Sequence, residues 1–298
     1  MSTNPQQPTR LPRFRRAKSA PELTLTDRDV NEILAAVHSF RLLTSEQIKA
    51  LATGSKQQIL RRLQKLFHAG LLERIAPRLT YGAGSEPMIY AITNKGLQHL
   101  QKEGLIEKIT QTDVNEKNHA LRPLFIDHRL LVSQFRAVVT LACRNHPEIR
   151  FLEWREGRAI QDSIEVALPQ GFERIPVAAD GFFSLGARER RAHFMTEADR
   201  GSMSIPRFTM KVIGYHAWWR EKRHQEKLGI QSFRVLTVTS STARMRNLIA
   251  AARRLEEVKE NGRMFLFTTE DQLQLDAPGR IFEKIWTSVA EDEPCSIL

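Results

Sequence analysis

Asp180, Glu197 and Asp199, followed by Lys211, are the residues of this chain whose types and spacing suit chemistry at a phosphate. Asp180-Gly-Phe-Phe-Ser-Leu reads as a strand, and His193-Phe-Met-Thr-Glu197-Ala-Asp199 as the next strand of a hairpin turning around Gly186 to Arg191. In such a hairpin Asp180 lies near one end of the first strand and Glu197 near the end of the second, so the two carboxylates converge. Side chains two apart on a strand share a face, which sets Asp199 beside Glu197. Three carboxylates about one point suit a hard cation, and Mg2+ is the cofactor such a set implies. Lys211, in the helix that follows, is suited to orient water or to offset charge developing on phosphate. The catalytic expectation is therefore Asp180, Glu197, Asp199 and Lys211, with the three acids as metal ligands. A plainer reading stands beside it: Asp180-Gly181 is a common turn pair, and Glu197, Asp199 and Arg200 ahead of Gly201 also suit an ion-paired strand end. Glu153, in a strand at 151–155, either completes the acid cluster or is an ordinary strand carboxylate. Tyr215, Trp218 and Trp219, near Arg220, Lys222 and Arg223, suit base stacking or, at helical spacing, a core.

A second set of residues suits a polyanion. Ser55 to Gly70 carries Lys56, Arg61, Arg62 and Lys65 and no acid. Ile59, Leu63, Leu66 and Phe67 recur at helical spacing and face a core, while Lys56, Gln57, Arg61, Arg62 and Lys65 fall on the opposite side. Arginine pairs with guanine edges and glutamine with adenine edges, so Gln57, Gln58 and Arg61 are placed as base readers; Lys56, Arg62 and Lys65 are placed as phosphate contacts. Double-stranded DNA is the expected partner.

The elements that must present this helix follow from cap and turn signals. Thr26-Asp-Arg-Asp opens a first helix with an apolar stripe at Val30, Ile33, Leu34 and Val37, and Thr44-Ser-Glu-Gln opens a second. Gly70 closes the basic helix, and strands at Leu71 to Ile75 and Met88 to Thr93 then flank Pro77-Arg78 and 82–86 as a wing, from which Arg74 and Arg78 reach DNA. A helix at 94–104 completes a winged helix-turn-helix at 26–104. Residues 1–25, with Arg10, Arg13, Arg15, Arg16 and Lys18, form a disordered basic tail, and 105–117 a linker. Residues 118–290 change to an α/β pattern. A long helix covers 118–144, strands fall at Arg150 to Trp154, Ile175 to Leu185, His193 to Ala198, Phe233 to Thr239 and Met264 to Thr268, and helices fall near Ile205 to Lys227 and Thr242 to Glu260. Residues 291–298 are a C-terminal tail.

With 298 residues and 41% hydrophobic content the chain is long enough for two cores, and its net charge of +11 favours a polyanionic partner. No apolar run long enough for a membrane span occurs and the N-terminus lacks an apolar signal centre, so a cytoplasmic protein without a membrane partner is expected. Cys143 and Cys295, with no CxxC, support neither a disulfide scaffold nor a structural zinc site.

An acid on one strand with Glu197 on the next resembles the PD-(D/E)XK nuclease fold, also called restriction-endonuclease-like. Ala179 stands where that pattern has proline and Asp199 where it has lysine; Lys211 is the candidate for a lysine carried by the next helix. Over most of the chain, the winged helix, His128-Arg-Leu-Leu-Val, Asp180-Gly-Phe-Phe, Glu197-Ala-Asp-Arg-Gly201 and Lys211-Val-Ile-Gly-Tyr215 resemble the replication-relaxation family of plasmids. That resemblance implies a bacterial or plasmid origin, DNA binding and a role in plasmid replication, relaxation or mobilisation, with replication or mobilisation proteins as further partners. The expected fold class is α+β or α/β. The leading expectation is a DNA-binding protein with a degenerate nuclease-like domain, because the lysine of Glu-x-Lys is missing. The rivals are a metal-dependent DNA endonuclease and a winged-helix transcription regulator whose second half dimerises or senses a ligand, the last as a homo-oligomer.

Overall fold

The computed structural model describes residues 13–18, 22–76, 86–107, 114–169, 171–259 and 261–298. Two compact units divide the chain, Met1–Ser133 and Gln134–Leu298. The division falls inside a long helix, later in the sequence than the 105–117 linker.

In the first unit a π-helical stretch, Arg28–Leu34, runs into α1 (Ala35–Phe40). Then come β1 (Leu43–Thr44), α2 (Ser45–Leu51), α3 (Lys56–His68), β2 (Leu72–Ile75), β3 (Ile89–Ile92) and α4 (Asn94–Lys102). The strands form one antiparallel sheet in the order β1-β3-β2. The caps follow the sequence closely. Thr44 and Gln47 make a reciprocal box, with Gln47 N–H donating to Thr44 Oγ1 at 3.2 Å and Thr44 N–H to Gln47 Oε1 at 2.8 Å. Ser55 caps α3 and Thr93 caps α4 in the same manner. Gly70, at φ +79°, turns the chain out of α3, a conformation that other residues adopt only with strain. Ile33, Leu34, Val37, Ile59, Leu63 and Leu66 are all buried, so the predicted stripes of the first and third helices do line a core.

α5 (Val114–His119) and α6 (Pro123–Asn145) replace the single helix expected over 118–144. Proline has no N–H to give and its ring blocks a preceding helical residue, so Pro123 starts a new helix rather than continuing one. Residues 1–25 also differ from a wholly disordered tail, because 13–18 are ordered against the first unit. Arg16 donates to Phe67 O and Leu72 O, each at 3.1 Å, and Ala17 N–H donates to His68 Nδ1 at 3.0 Å. The wing tip at 77–85, with Arg78, lies outside the described residues, as do 108–113 of the linker.

The second unit is built on β4 (Ile149–Arg155), β5 (Asp162–Leu168), β6 (Gly171–Val177), β7 (Gly181–Ala187), β8 (Arg190–Asp199), α7 (Ile205–Arg220) and α8 (Arg223–Leu228). It continues through β9 (Arg234–Thr239), α9 (Thr242–Arg253), α10 (Glu256–Lys259), β10 (Phe265–Thr269), β11 (Trp286–Ser288) and β12 (Pro294–Cys295). The main sheet has the order β12-β11-β10-β9-β8-β7-β4. β4, β7 and β8 run antiparallel, β8, β9 and β10 run parallel, and β11 and β12 return antiparallel at the far edge. β5 and β6 make a separate hairpin inserted between β4 and β7.

Three expectations change here. The run Ile175 to Leu185 is two strands, one in the inserted hairpin and one in the main sheet, parted at 178–180. The helix at 205–227 breaks where Lys222 takes a left-handed φ of 57°. The supposed tail at 291–298 carries β12 and the buried Ile297. One face of the sheet packs Phe182, Met195 and Val235 against Val212, Tyr215 and Trp218 of α7. On the other face Phe183 stacks on Phe194 and on Trp154, and meets Phe135 of α6 edge-on.

Candidate functional site

Asp180 sits just ahead of β7 and is held to β8 twice: its N–H donates to Thr196 O at 2.9 Å, and its Oδ2 accepts from Ala198 N–H at 2.9 Å. Gly181 is not a turn glycine. A Cβ there would stand 2.4 Å from Trp154 Cζ2 and 2.9 Å from Thr196 Oγ1, so glycine is needed for the indole to lie against the strand. Glu197 points from β8 toward α7 and is 7% exposed. Lys211 Nζ donates to one of its oxygens and Tyr215 Oη to the other. Lys211 and Tyr215 are one helical turn apart, which puts both donors on the face of α7 that covers the sheet.

The electrostatics follow from burial. Loss of water pushes the Glu197 carboxyl up to about 7, the Lys211 ammonium pulls it back, and the Asp180 carboxylate pushes it up again. Burial works against the Lys211 ammonium, yet the charges of Glu197 and Asp180 outweigh it and hold its pKa above the ordinary value. Burial and the neighbouring Glu197 keep the Tyr215 phenol well above its ordinary value, so it acts as a donor. A cavity of about 20 Å³, bordered by Glu197, Asp199, Lys211, Tyr215 and Phe208, leaves room for about one water.

Asp199 does not join this group as a ligand. Its Oδ2 accepts from Arg244 Nε at 2.6 Å and its Oδ1 from Gly201 N–H at 2.9 Å, which ties the end of β8 to the start of α9. Arg244 in turn donates to Met203 O at 2.6 Å. Among the described residues no three Asp, Glu, His or Cys side chains gather as a cation site. The residues present therefore do not fit Mg2+ as arranged: both Glu197 oxygens hold hydrogen bonds, one to an ammonium, and Asp199 is already neutralised. Glu153 is separate from Asp180 and Glu197, accepting instead from Ser184 Oγ and from Arg155. Tyr215 and Trp218 are buried at 2% and 0% exposure, so they are core and are not offered to bases.

On α3, Lys56, Gln57, Gln58, Arg61 and Lys65 are all exposed, and Leu60 and Gln64 share their surface. The helix contains no acid. Arg62 is an exception among the expected contacts. Its guanidinium pairs with both oxygens of Asp29, which is fully buried, and donates to Thr24 O at 2.9 Å. Asp29 lies four residues before Ile33 on an apolar stripe, and a carboxylate so placed requires a cationic partner; that was the available signal. Arg74 is also committed elsewhere, donating to Arg13 O at 2.7 Å and lying over the Phe67 ring at 4.4 Å.

A family model described as replication-relaxation matches residues 34–232, a span that takes in α3 as well as Asp180, Glu197 and Lys211. No curated protein and no solved structure matches the chain. No helix among the described residues is long and apolar enough to cross a membrane.

Proposed function

The chain belongs to the replication-relaxation family, and from that premise we propose that it is a DNA-binding protein acting in plasmid replication, relaxation or mobilisation. The observation that carries the reading is α3: an acid-free helix with a fully packed underside and an outer face of Lys56, Gln57, Gln58, Arg61 and Lys65. The order α1, β1, α2, α3, β2, β3 supports a winged helix-turn-helix, in which the third helix enters the major groove. Gln57, Gln58 and Arg61 then meet base edges while Lys56 and Lys65 meet phosphates. The net charge of +11 supplies the long-range attraction.

For the second unit, the order α6, β4, β7, β8, α7, β9 gives an antiparallel three-strand meander followed by a helix and a strand parallel to the third. That order supports a nuclease-like core. Because Glu197 is held by Lys211 and Tyr215, and Asp199 by Arg244, the unit serves here as a DNA-gripping domain, and no hydrolytic step is derived for it. The convergence of Asp180, Glu197 and Lys211 favours an endonuclease as the second reading.

The test is equilibrium binding of labelled duplex DNA across a range of salt. Arg61→Ala combined with Lys65→Ala is expected to weaken binding and to flatten the slope of log K against log salt by about 1.8, roughly 0.9 for each phosphate charge lost. An unchanged slope removes α3 from the interface.

A further inference from the structure

The same face of the sheet that carries Asp180 and Glu197 continues along β4, β7 and β8 into a row of cations that the site above does not use. Strand register places the positions: Arg155 is opposite Phe182, Glu153 opposite Ser184 and Arg150 opposite Gly186 across β4–β7. Across β7–β8, Ser184 is opposite His193 and Gly186 opposite Arg191. Alternation puts all of these on the face of Asp180, Glu197 and α7. The result is a trough with Ser184 and Gly186 as its floor. Arg150 and Arg155 stand along one wall, Arg191 and His193 along the other, about two strand spacings or roughly 10 Å apart.

The floor and walls are built in a definite way. At Gly186 a Cβ would stand 3.5 Å from Arg150 Nη2 and 3.4 Å from Leu152 Cδ2, so those side chains lie directly over the bare backbone. Glu153 Oε1 accepts from Ser184 Oγ at 2.8 Å, and Ser184 Oγ lies 2.8 Å from His193 Nδ1. A carboxylate only accepts, so the hydroxyl hydrogen goes to Glu153 and the hydroxyl oxygen accepts an Nδ1–H. This relay fixes the imidazole tautomer and orientation, leaving Nε2 as the edge for a ligand. The ring also stacks on Phe182, at 6.1 Å between centroids and 8° between planes. Burial holds the His193 pKa below its ordinary value; Glu153 opposes that, and Arg191 and Arg155 add to it. The one acid of the trough, Glu153, is already paired with Arg155. Arg150 and Arg191 are exposed.

We propose that this trough binds the sugar-phosphate backbone of DNA through Arg150, Arg155, Arg191 and His193, as a second contact surface separate from α3. The spacing suits a repeating anion. Ser184 is four residues along β7 from Asp180, about 13 Å at the usual strand rise, which is nearly four base steps at about 3.4 Å each. A strand of DNA laid along the trough thus passes from the cations to the Asp180–Glu197 end of the hairpin. His193 contributes as a fixed polar edge and Ser184 as the residue that positions it.

The inference rests on the DNA-binding reading, and one experiment separates the two. Binding of a fluorescein-labelled duplex is followed against salt for the wild type, for Arg61→Ala/Lys65→Ala, and for Arg150→Ala/Arg191→Ala. The trough variant is expected to flatten the log K slope by about 1.8, roughly 0.9 per contact, and His193→Ala to weaken binding several-fold at fixed salt. Arg191→Glu, a single exposed change that leaves packing intact, is expected to weaken binding by at least tenfold. If the trough variants, including Arg191→Glu, bind as the wild type while the α3 variant loses slope, the trough is wrong and the DNA-binding reading stands. Unchanged slopes in both variants, or no binding by the wild type, overturn both.

Discussion

Arg62 and Arg61 are adjacent on one basic helix, yet the structure gives them opposite roles, and replacing each with alanine separates those roles. Asp29 is fully buried and Arg62 is 20% exposed on its side chain. Removing one partner of a buried ion pair costs about 3–5 kcal/mol, because the remaining charge is stranded. Asp29 keeps two hydrogen bonds from Thr26, at 2.8 Å from its N–H and 2.7 Å from its Oγ1, so the expected loss for Arg62→Ala is nearer about 2–3 kcal/mol. With a urea slope of about 2 kcal/mol per molar, the midpoint of the first unit falls by roughly 1–1.5 M. Far-UV circular dichroism reads this transition. The protein has 4 tryptophans, and Trp154, Trp218, Trp219 and Trp286 all lie in the second unit, so tryptophan fluorescence reports the other half of the chain. Burial alone would raise the Asp29 pKa, but Arg62 and Thr26 together hold it below the ordinary value. A depressed acid stabilises the fold above its unfolded pKa and loses that contribution as pH falls through the folded value, so the gap between wild type and Arg62→Ala closes below about pH 3.8. Arg61→Ala is expected to leave the urea midpoint within about 0.5 kcal/mol of wild type and to lose DNA affinity instead. If Arg62→Ala keeps wild-type stability and flattens the salt slope as Arg61→Ala does, the partition of the helix into a structural and a binding arginine is wrong.

Other outcomes follow from the second unit. Glu197, with its pKa raised to about 7, holds a proton that the unfolded chain has released, so its contribution to stability is full below the unfolded value and declines as pH rises from about 4.5 to about 7; the pH 5 to pH 8 fall in urea midpoint should be smaller in Glu197→Gln than in wild type. Equal falls in the two proteins would refute a raised Glu197. Gly181→Ala drives a methyl into Trp154 and Thr196 and is expected to cost about 1–3 kcal/mol in thermal or urea unfolding, and a neutral result would show that the indole yields easily. Supercoiled plasmid incubated with the protein and Mg2+ or Mn2+ is expected to remain intact. Nicking that Asp180→Ala abolishes would make the endonuclease reading correct.

The features legible in the sequence are those set by local rules. The apolar stripe of α3, the Thr44–Gln47 box and the β7–β8 hairpin each depend on residues within one element or its immediate neighbour, and spacing alone reports them. What stayed hidden depends on partners far along the chain. Arg62 is 33 residues from Asp29, and Arg244 is 45 residues from Asp199. No periodicity links such pairs, so a basic helix reads as uniformly free and a strand-end carboxylate as an open ligand. The inserted β5–β6 hairpin was missed for a related reason: Ile175 to Leu185 is apolar enough to read as one strand, and only the fold reveals that the chain changes sheets at 178–180. Tyr215 had been visible only as an aromatic, although its place four residues after Lys211 on one helix face was available as a clue that it shares the lysine's partner.

Charge accounting at the end of β8 explains why the cluster favours a proton over a divalent cation. Asp180, Glu197 and Asp199 bring three negative charges when ionised, and Lys211 and Arg244 bring two positive ones, each already hydrogen-bonded to an acid. The remaining negative charge is closed by the proton that burial draws onto Glu197 near neutral pH. A divalent ion placed between Asp180 and Glu197 would meet the Lys211 ammonium at close range and would need both Glu197 oxygens released from their donors. Arg244 blocks the usual compensation, since Asp199 cannot turn toward the ion without abandoning a paired guanidinium in a buried setting. A PD-(D/E)XK-like arrangement that had lost its strand lysine is thereby balanced without metal, and its retained acids hold β7, β8, α7 and α9 in the geometry from which the cationic trough extends.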